Sequence, residues 1–545
     1  MSERLVRRLV VLAALCIYLP FLGSVRLFDW DEINFAEAAR EMLVTGDWLR
    51  VHVDYAPFYE KPPLFIWAQA VSMLVFGVNE FAARLPNAIV ATITLWLLVR
   101  LGQQVGRQRL GLLWAAAYAG SVLPTFYGHT GIIDPLFNLF MFLAVLVAYR
   151  SVGQGASKHD AWLAGLWMGL AVLTKGPVAL GLVLLTCAIA YAWTRRTWRL
   201  PWLVAAKMTL VATAVPALWY GVEYAANGPA FMEANLAYQW RLLTMGEAGH
   251  AQPWYYHLVV VLIGCYPASV LAFGRLTPAD ASDQSDSSDF TKWMATLGLV
   301  VLAVFSVVTT KIVHYSSMTY LPLTFLAALA VDRMWRGEAR MGVARWLLLG
   351  VLCLVLTAAA LAVPLIGNNM DWLVAQPTFR DVYLREAVQQ PVWWSWIHYI
   401  PALLLPLGYV VGLVFRKRPW HVLPLFGGVL LFSMTFLPLV APNIERYTQG
   451  AALDVYESLQ GRVAYVKPLT MKSYAHLFYT QKPYELSAAA HGVEADAWEP
   501  FLLDSMVRVP TYFVAKMNDA GPWMEHPNLR VRHRHGGIVV FERRR

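Results

Sequence analysis

The chain has 545 residues, of which 58% are hydrophobic and only 14% charged, against about 25% charged in soluble domains. A soluble globular protein is excluded. The net charge of +9 lies in short Lys and Arg clusters between apolar stretches, a pattern that speaks for membrane topology and not for nucleic acid.

A membrane span needs about 20 mostly apolar residues. Thirteen candidates follow one another, at 9–27, 80–100, 110–128, 132–149, 161–174, 177–193, 202–222, 254–273, 293–310, 312–331, 346–366, 396–415 and 421–440. The fifth and sixth are short and meet at Lys175-Gly176-Pro177, where the chain forms either a tight hairpin or one broken helix. No small-residue cleavage pattern follows the first apolar run, so it reads as a retained helix and not as a signal peptide. Cys16, Cys187, Cys265 and Cys353 each lie inside an apolar run and read as lipid-buried small hydrophobes, not as disulfides or zinc ligands.

Orientation follows from the positive residues. Arg4, Arg7 and Arg8, then Arg100, Arg107 and Arg109, Arg150 and Lys158, Arg195, Arg196 and Arg199, Arg333, Arg336 and Arg340, and Arg416 to Arg418 all fall on one side. That side is expected to be the cytoplasm, with the N-terminus on it. The opposite, periplasmic face then carries the loops 28–79, 223–253 and 367–395 and everything after 441, including the C-terminus. The expected organisation is a membrane domain over 1–440, including the first outer loop 28–79, and a small α/β domain over 441–545. In the latter, 463–466, 511–514 and 537–541 read as strands and 472–479 as a helix. The Ser- and Asp-rich stretch 280–289 reads as a cytoplasmic loop.

The first outer loop opens with Asp29-Trp30-Asp31-Glu32. Three carboxylates at a membrane boundary need water, cations or substrate to stay ionised; alternatively Asp29 is the N-cap of a solvated helix. The segment Ile33 to Leu43 is expected to be an amphipathic helix lying along the interface. In Tyr59-Glu60-Lys61-Pro62-Pro63 the prolines prevent a regular helix. Lys61 at headgroup depth either grips a lipid phosphate or snorkels. Asp134, before Pro135, has the form of a helix N-cap with Pro at the first helical position. Glu60 with His250 or His257 is a candidate divalent-metal set, although their spacing matches no standard metal motif. Tyr315 and Tyr320 read as donor-phosphate ligands or as ordinary interfacial aromatics.

The ordered set Asp31-Glu32, Ala39-Arg40-Glu41-Met42, Gly46-Asp47-Trp48, Tyr59-Glu60-Lys61-Pro62-Pro63, Arg84-Leu85-Pro86 and Leu173-Thr174-Lys175-Gly176 resembles the membrane-embedded GT-C glycosyltransferases. Within them it is similar to the protein O-mannosyltransferase superfamily, most closely its lipid A 4-amino-4-deoxy-L-arabinose transferase branch. His250 to Tyr255 and Lys311 to Tyr315 with Leu321-Pro322 add to the likeness. The resemblance implies a polytopic α-helical GT-C fold with a small C-terminal α/β domain. It also implies a sugar carried on undecaprenyl phosphate and transferred to a lipid A phosphate at the periplasmic face of the inner membrane. Under it Asp31 is the principal catalytic carboxylate and Asp134 the second acid. Lys61, Arg241 and Lys311 supply cations to the donor phosphate, and Glu32, Tyr59, Tyr315 and Tyr320 also line the substrate. A phosphate acceptor is already an anionic nucleophile, so a strong general base is not required; a Ser or Thr acceptor would need Asp31 as base. The implied partners are the polyprenyl-linked donor, lipid A and membrane lipids, for a monomer that binds no nucleic acid. The rival enzyme is a protein or other-lipid glycosyltransferase using the same carrier. The rival class is a flippase or transporter, which would favour charges at the bilayer midplane and inverted repeats.

Overall fold

The computed structural model describes residues 2–153, 155–195, 201–245, 251–273, 286–377, 379–505 and 507–544. Among these, seven helices are long and apolar enough to cross a membrane: Glu80–Gln104, Asp134–Ser151, Val178–Arg195, Trp202–Asn227, Asp289–Val307, Val343–Gly367 and Trp396–Val414. An eighth arises if Leu423–Leu439 and Ala441–Ser458, bent by 47°, form one span. The other five expected spans are occupied by shorter or interrupted helices: Glu3–Tyr18, Gln108–Ala119 with Val122–Tyr127, Asp160–Lys175, Tyr256–Gly264 with Ala268–Ala272, and Tyr320–Trp335. Of the thirteen expected spans, seven or eight are thus helices of membrane-crossing length among the described residues. The 16 residues of Asp160–Lys175 reach only about 24 Å, short of a hydrocarbon core of about 30 Å.

The junction at Lys175-Gly176-Pro177 is a hairpin. Lys175 meets Asp134, at the start of one helix, whereas Arg195 donates to the carbonyl of Val152, just beyond that helix's far end. The chain therefore reverses at Gly176, whose φ of +99° suits a residue without Cβ. At the opposite end of the bundle Asp332 gathers Arg107, Arg109 and Arg336 at 2.8, 2.7 and 3.3 Å. Two of the basic clusters assigned to one side by sequence thus meet on a single carboxylate.

The C-terminal segment forms a four-stranded sheet in the order Tyr465–Pro468, Thr511–Lys516, Ile538–Arg543, Leu529–His535. The first pair is parallel and the others antiparallel. The strand Leu529–His535 was not expected, because Arg and His at most positions hide any apolar alternation. Its partner imposes it through a two-residue turn, Gly536-Gly537, in which both φ values are positive, +56° and +80°, the requirement of a type I′ hairpin.

The first loop differs from expectation. Its helix is Asp31–Thr45, with Trp30 and not Asp29 at the N-cap and no side-chain cap. Eleven successive residues, Glu32 to Met42, are buried, so the helix does not lie on an interface. It is enclosed by Leu64–Phe76 on one side and by Ala475–Thr480 on the other. One hydrophobic core combines Leu27, Ile33, Ala36, Val51 and Ile66 with Leu453, Tyr456, Leu477, Val514 and Val540.

The charges that suggested a polar face are consumed inside this contact. Arg40 makes a two-bond pair with Glu37 at 2.8 and 2.6 Å. The amide of Tyr55 donates to Glu41 at 2.8 Å, its hydroxyl donates to the carbonyl of Lys482 at 2.6 Å, and Lys482 pairs with Asp54. Burial, and then Glu37 alongside, raise the Glu41 carboxyl well above its usual range.

Candidate active site

Four titratable side chains from four separate segments converge at the end of the bundle covered by the first loop. Asp31 stands in the first turn of its helix, where the positive end of the dipole favours a carboxylate. Asp134 is the first residue of Asp134–Ser151, Lys175 the last of Asp160–Lys175, and His314 lies in the 3-10 turn Val313–Thr319. His314 Nε2 is 3.4 Å from Asp31 and 3.7 Å from Asp134. Lys175 Nζ is 2.5 Å from the other oxygen of Asp134 and 4.8 Å from the centre of the Tyr315 ring.

The row runs from access to burial, the Asp31 side chain being 36% exposed and that of Asp134 3%. The N-cap reading of Asp134 is overturned: Ile133 occupies that position, with no side-chain cap bond, and the carboxylate is held by Lys175. Lys175 and His314 stand within sequence motifs, but sequence reasoning alone misses both as site residues. The available signal was topological, since each ends or begins an apolar segment on the predicted outer face.

Beside this row lies a cationic patch. Lys61 Nζ is 3.4 Å from the Tyr238 hydroxyl and 4.7 Å from the centre of its ring, and the Arg241 guanidinium is 5.8 Å from the same ring. The helix Ala230–Thr244 that carries Tyr238 and Arg241 also fixes the Lys61 turn, through Asn235 Nδ2 donating to the carbonyls of Tyr59 and Glu60 at 2.9 and 3.1 Å. Pro63 removes the N–H that a helix would offer the Tyr59 carbonyl, and Asn235 satisfies that carbonyl together with the one of Glu60. Tyr238 was not singled out from sequence. The charge of Lys61 reaches His314 and Tyr315, which brings patch and row together.

Several expected site residues lie elsewhere. Glu32 is 3% exposed and occupied on both oxygens: Arg84 donates twice, at 2.9 and 2.8 Å, Gly131 N–H donates at 2.6 Å and Phe28 N–H at 3.0 Å. Burial alone would raise its carboxyl, but Arg84 and the two amides outweigh it and hold the carboxyl below the usual range. Glu32 thereby anchors the start of the Asp31 helix, with both oxygens engaged within the protein. Tyr59 turns its ring edge-on to Phe231. Lys311 is buried and its ammonium donates to the Val308 carbonyl at 2.6 Å.

Tyr320 is also buried, stacked on Tyr127, so neither the donor-ligand nor the interfacial reading fits it. Among the described residues no group of three His, Cys, Asp or Glu side chains is arranged to hold a metal ion. His257 is fully buried against Tyr256 and Phe305, and Glu60 is not among its neighbours. His250 lies outside the described residues.

Residues 60–220 match the sequence model of a family described as dolichyl-phosphate-mannose-protein mannosyltransferase. An undecaprenyl phosphate-alpha-4-amino-4-deoxy-L-arabinose arabinosyl transferase 2 of Sodalis glossinidius is 28% identical over 84% of this chain and 86% of its own length. A transferase of the same description from Erwinia tasmaniensis is 29% identical over 57% of this chain and 56% of its own. Among solved structures, ArnT from Cupriavidus metallidurans bound to undecaprenyl phosphate superposes with a TM-score of 0.75 at 18% identity, covering 98% of this chain and 97% of that one. The resemblance read in the sequence is borne out, and the chain has the membrane-embedded, multi-pass GT-C fold.

Proposed function

We propose that this chain is a GT-C glycosyltransferase that moves a sugar, 4-amino-4-deoxy-L-arabinose, from undecaprenyl phosphate to a lipid A phosphate at the periplasmic face of the bacterial inner membrane. One observation carries the reading: the row Asp31, His314, Asp134 and Lys175 lies beside the Lys61–Tyr238–Arg241 patch at one end of an apolar helix bundle. A polyprenyl donor needs apolar surface for its tail and cations for its phosphate at headgroup depth. The reacting sugar needs carboxylates nearby.

In this arrangement an oxygen of the acceptor phosphate attacks the anomeric carbon and the bond from that carbon to the carrier phosphate breaks. The departing polyprenyl phosphate keeps the electron pair, stabilised by Lys61 and Arg241. Asp31, the more accessible carboxylate, stabilises positive charge developing on the sugar ring. Asp134, neutralised by Lys175, sets the floor of the site. Residues 1–440 form the catalytic membrane part, with the N-terminus cytoplasmic, and 441–545 a periplasmic α/β unit that closes over the first loop. The names of the relatives support the donor and the sugar, and the gathering of charges at one end of the bundle favours transfer over transport.

The test is mass spectrometry of lipid A from a strain lacking endogenous aminoarabinose transfer, with and without this gene. Lipid A that gains the mass of one aminopentose supports the reading. Lipid A left unmodified, while donor is present and the protein is in the membrane, refutes it.

A further inference from the structure

Asp134 has two basic neighbours, Lys175 and His314, whereas Asp31 has His314 alone among the described residues. Asp134 is fixed by Lys175 at 2.5 Å and approached by His314 at 3.7 Å. Asp31, the more exposed of the two, has only His314 within ion-pair distance among the described residues, at 3.4 Å. Both carboxylates face the same ring nitrogen, Nε2. Two carboxylates converging on one point repel each other and turn apart unless a donor lies between them. A partly exposed Asp with no other ion-pair partner among the described residues would otherwise sample several rotamers.

The imidazole itself is not free to follow. Its ring packs against that of Tyr315 at 5.2 Å, and it belongs to a turn whose next residues, Ser316 to Thr319, are all buried. Ser317 accepts a hydrogen bond from Asn138 at 2.8 Å, and Asn138 lies on the Asp134 helix. The turn and the Asp134 helix are thereby one rigid unit.

We propose that His314 is a positioning residue: its Nε2, 3.4 Å from Asp31 and 3.7 Å from Asp134, presents the N–H that holds the Asp31 carboxylate in the orientation in which it meets the sugar. This rests on the transferase reading above and deepens it. The charged and titratable groups facing the imidazole are Asp31, Asp134, Lys175, Lys61 and His257. Of these, only the two carboxylates lie within ion-pair distance of Nε2 among the described residues. A neutral imidazole suffices, because the role requires a fixed N–H and not a positive charge.

The test compares the parent enzyme with His314→Ala and His314→Gln, purified in detergent and assayed with the polyprenyl-phosphate sugar donor and lipid A, with binding of undecaprenyl phosphate measured in parallel. The parent is measured first: no sugar transfer by it overturns the transferase reading itself. With an active parent, His314→Ala is expected to lose kcat on the order of 10²-fold, as for a misplaced reacting group. The donor KM and undecaprenyl phosphate binding should stay as in the parent. His314→Gln, whose side-chain amide presents an N–H in the same direction, should recover most of the lost kcat. An undiminished kcat in the alanine variant overturns the proposal. So does a donor KM that rises while kcat holds, or a folded glutamine variant no more active than alanine.

Discussion

Replacing Arg84 by Met tests whether Glu32 anchors the site or touches substrate. The Arg84 guanidinium donates to Glu32 at 2.9 and 2.8 Å, and to the carbonyls of Leu22, Val25 and Arg26 at 2.8, 2.6 and 3.1 Å. Met fills the space of the stem but leaves a buried carboxylate and three carbonyls without that donor. Removing one partner of a buried pair costs about 3–5 kcal/mol. The two backbone amides that still bond Glu32 place the expected loss toward the lower end. Glu32→Gln removes the charge and keeps an acceptor, so it should cost less, about 1–3 kcal/mol. If the two side chains act as one unit, Arg84→Met in the Glu32→Gln background should cost at least about 1 kcal/mol less than in the parent.

The assay is chemical denaturation in detergent, read by tryptophan fluorescence, with transfer activity and undecaprenyl phosphate binding measured alongside. Because Asp31 adjoins Glu32, both single variants should lose rate while still binding the carrier lipid. Additive costs in the double variant would refute the coupling. Weakened carrier binding by Glu32→Gln alone would return Glu32 to the substrate site.

Asp31→Asn, which keeps the size and removes the charge, should fold normally and lose about 10²–10³ in rate; transfer within a few-fold of the parent removes Asp31 from the reaction. Lys61→Ala forfeits a charge-assisted contact of about 1.5–3 kcal/mol, so undecaprenyl phosphate should bind roughly tenfold more weakly or worse, measured by tryptophan quenching. In the C-terminal segment, burial and then Lys467 and Lys482 hold the His476 imidazole well below its ordinary value of 6.5. A depressed base is neutral when folded and takes up a proton only on unfolding, so its stability is complete above about pH 6.5 and declines as pH falls below it. The apparent Tm of the parent should drop over that range more steeply than that of His476→Phe, and parallel curves would refute the assignment. An alkaline phosphatase fused after Arg545 should be active in cells if the C-terminus is periplasmic, and an inactive fusion would place it in the cytoplasm.

The membrane architecture was legible in the sequence because it is written in runs of one residue class. Seven or eight of the expected spans are helices of membrane-crossing length among the described residues, and basic clusters separated by hundreds of residues meet on Asp332. The site was legible only where a charge interrupts an apolar boundary: Asp31, Lys61, Asp134, Arg241. It failed where a charge's partner decides its meaning. Glu32 and Asp31 are adjacent and identical in kind, yet Arg84, 52 positions further on, makes one an anchor while the other stays accessible. The helix after them has a sparse mixture of Ala, Glu and Arg that reads as half-wet. Only the tertiary partner, Ala475–Thr480, shows that the second face is also dry. Tyr238 escaped because an aromatic in a predicted outer loop carries no period, and Leu529–His535 because its strand form comes from a partner and a Gly-Gly turn.

The shared core between the first loop and the last hundred residues also sets an order of events in biosynthesis. Leu27 N–H donates to the Tyr479 hydroxyl at 2.7 Å, and Arg26 reaches Asp454 and Glu457. The residues flanking Asp31 thus wait for groups more than 400 positions downstream. During synthesis at about 5–20 residues per second, Asp31, Lys61, Asp134, Lys175 and His314 all leave the ribosome well before the strand that closes the sheet. Until then the helix Asp31–Thr45 exposes one apolar side. A chain that stops shortly after the last membrane helix, although it holds Asp31, Lys61, Asp134, Lys175 and His314, is therefore expected to lack a packed first loop.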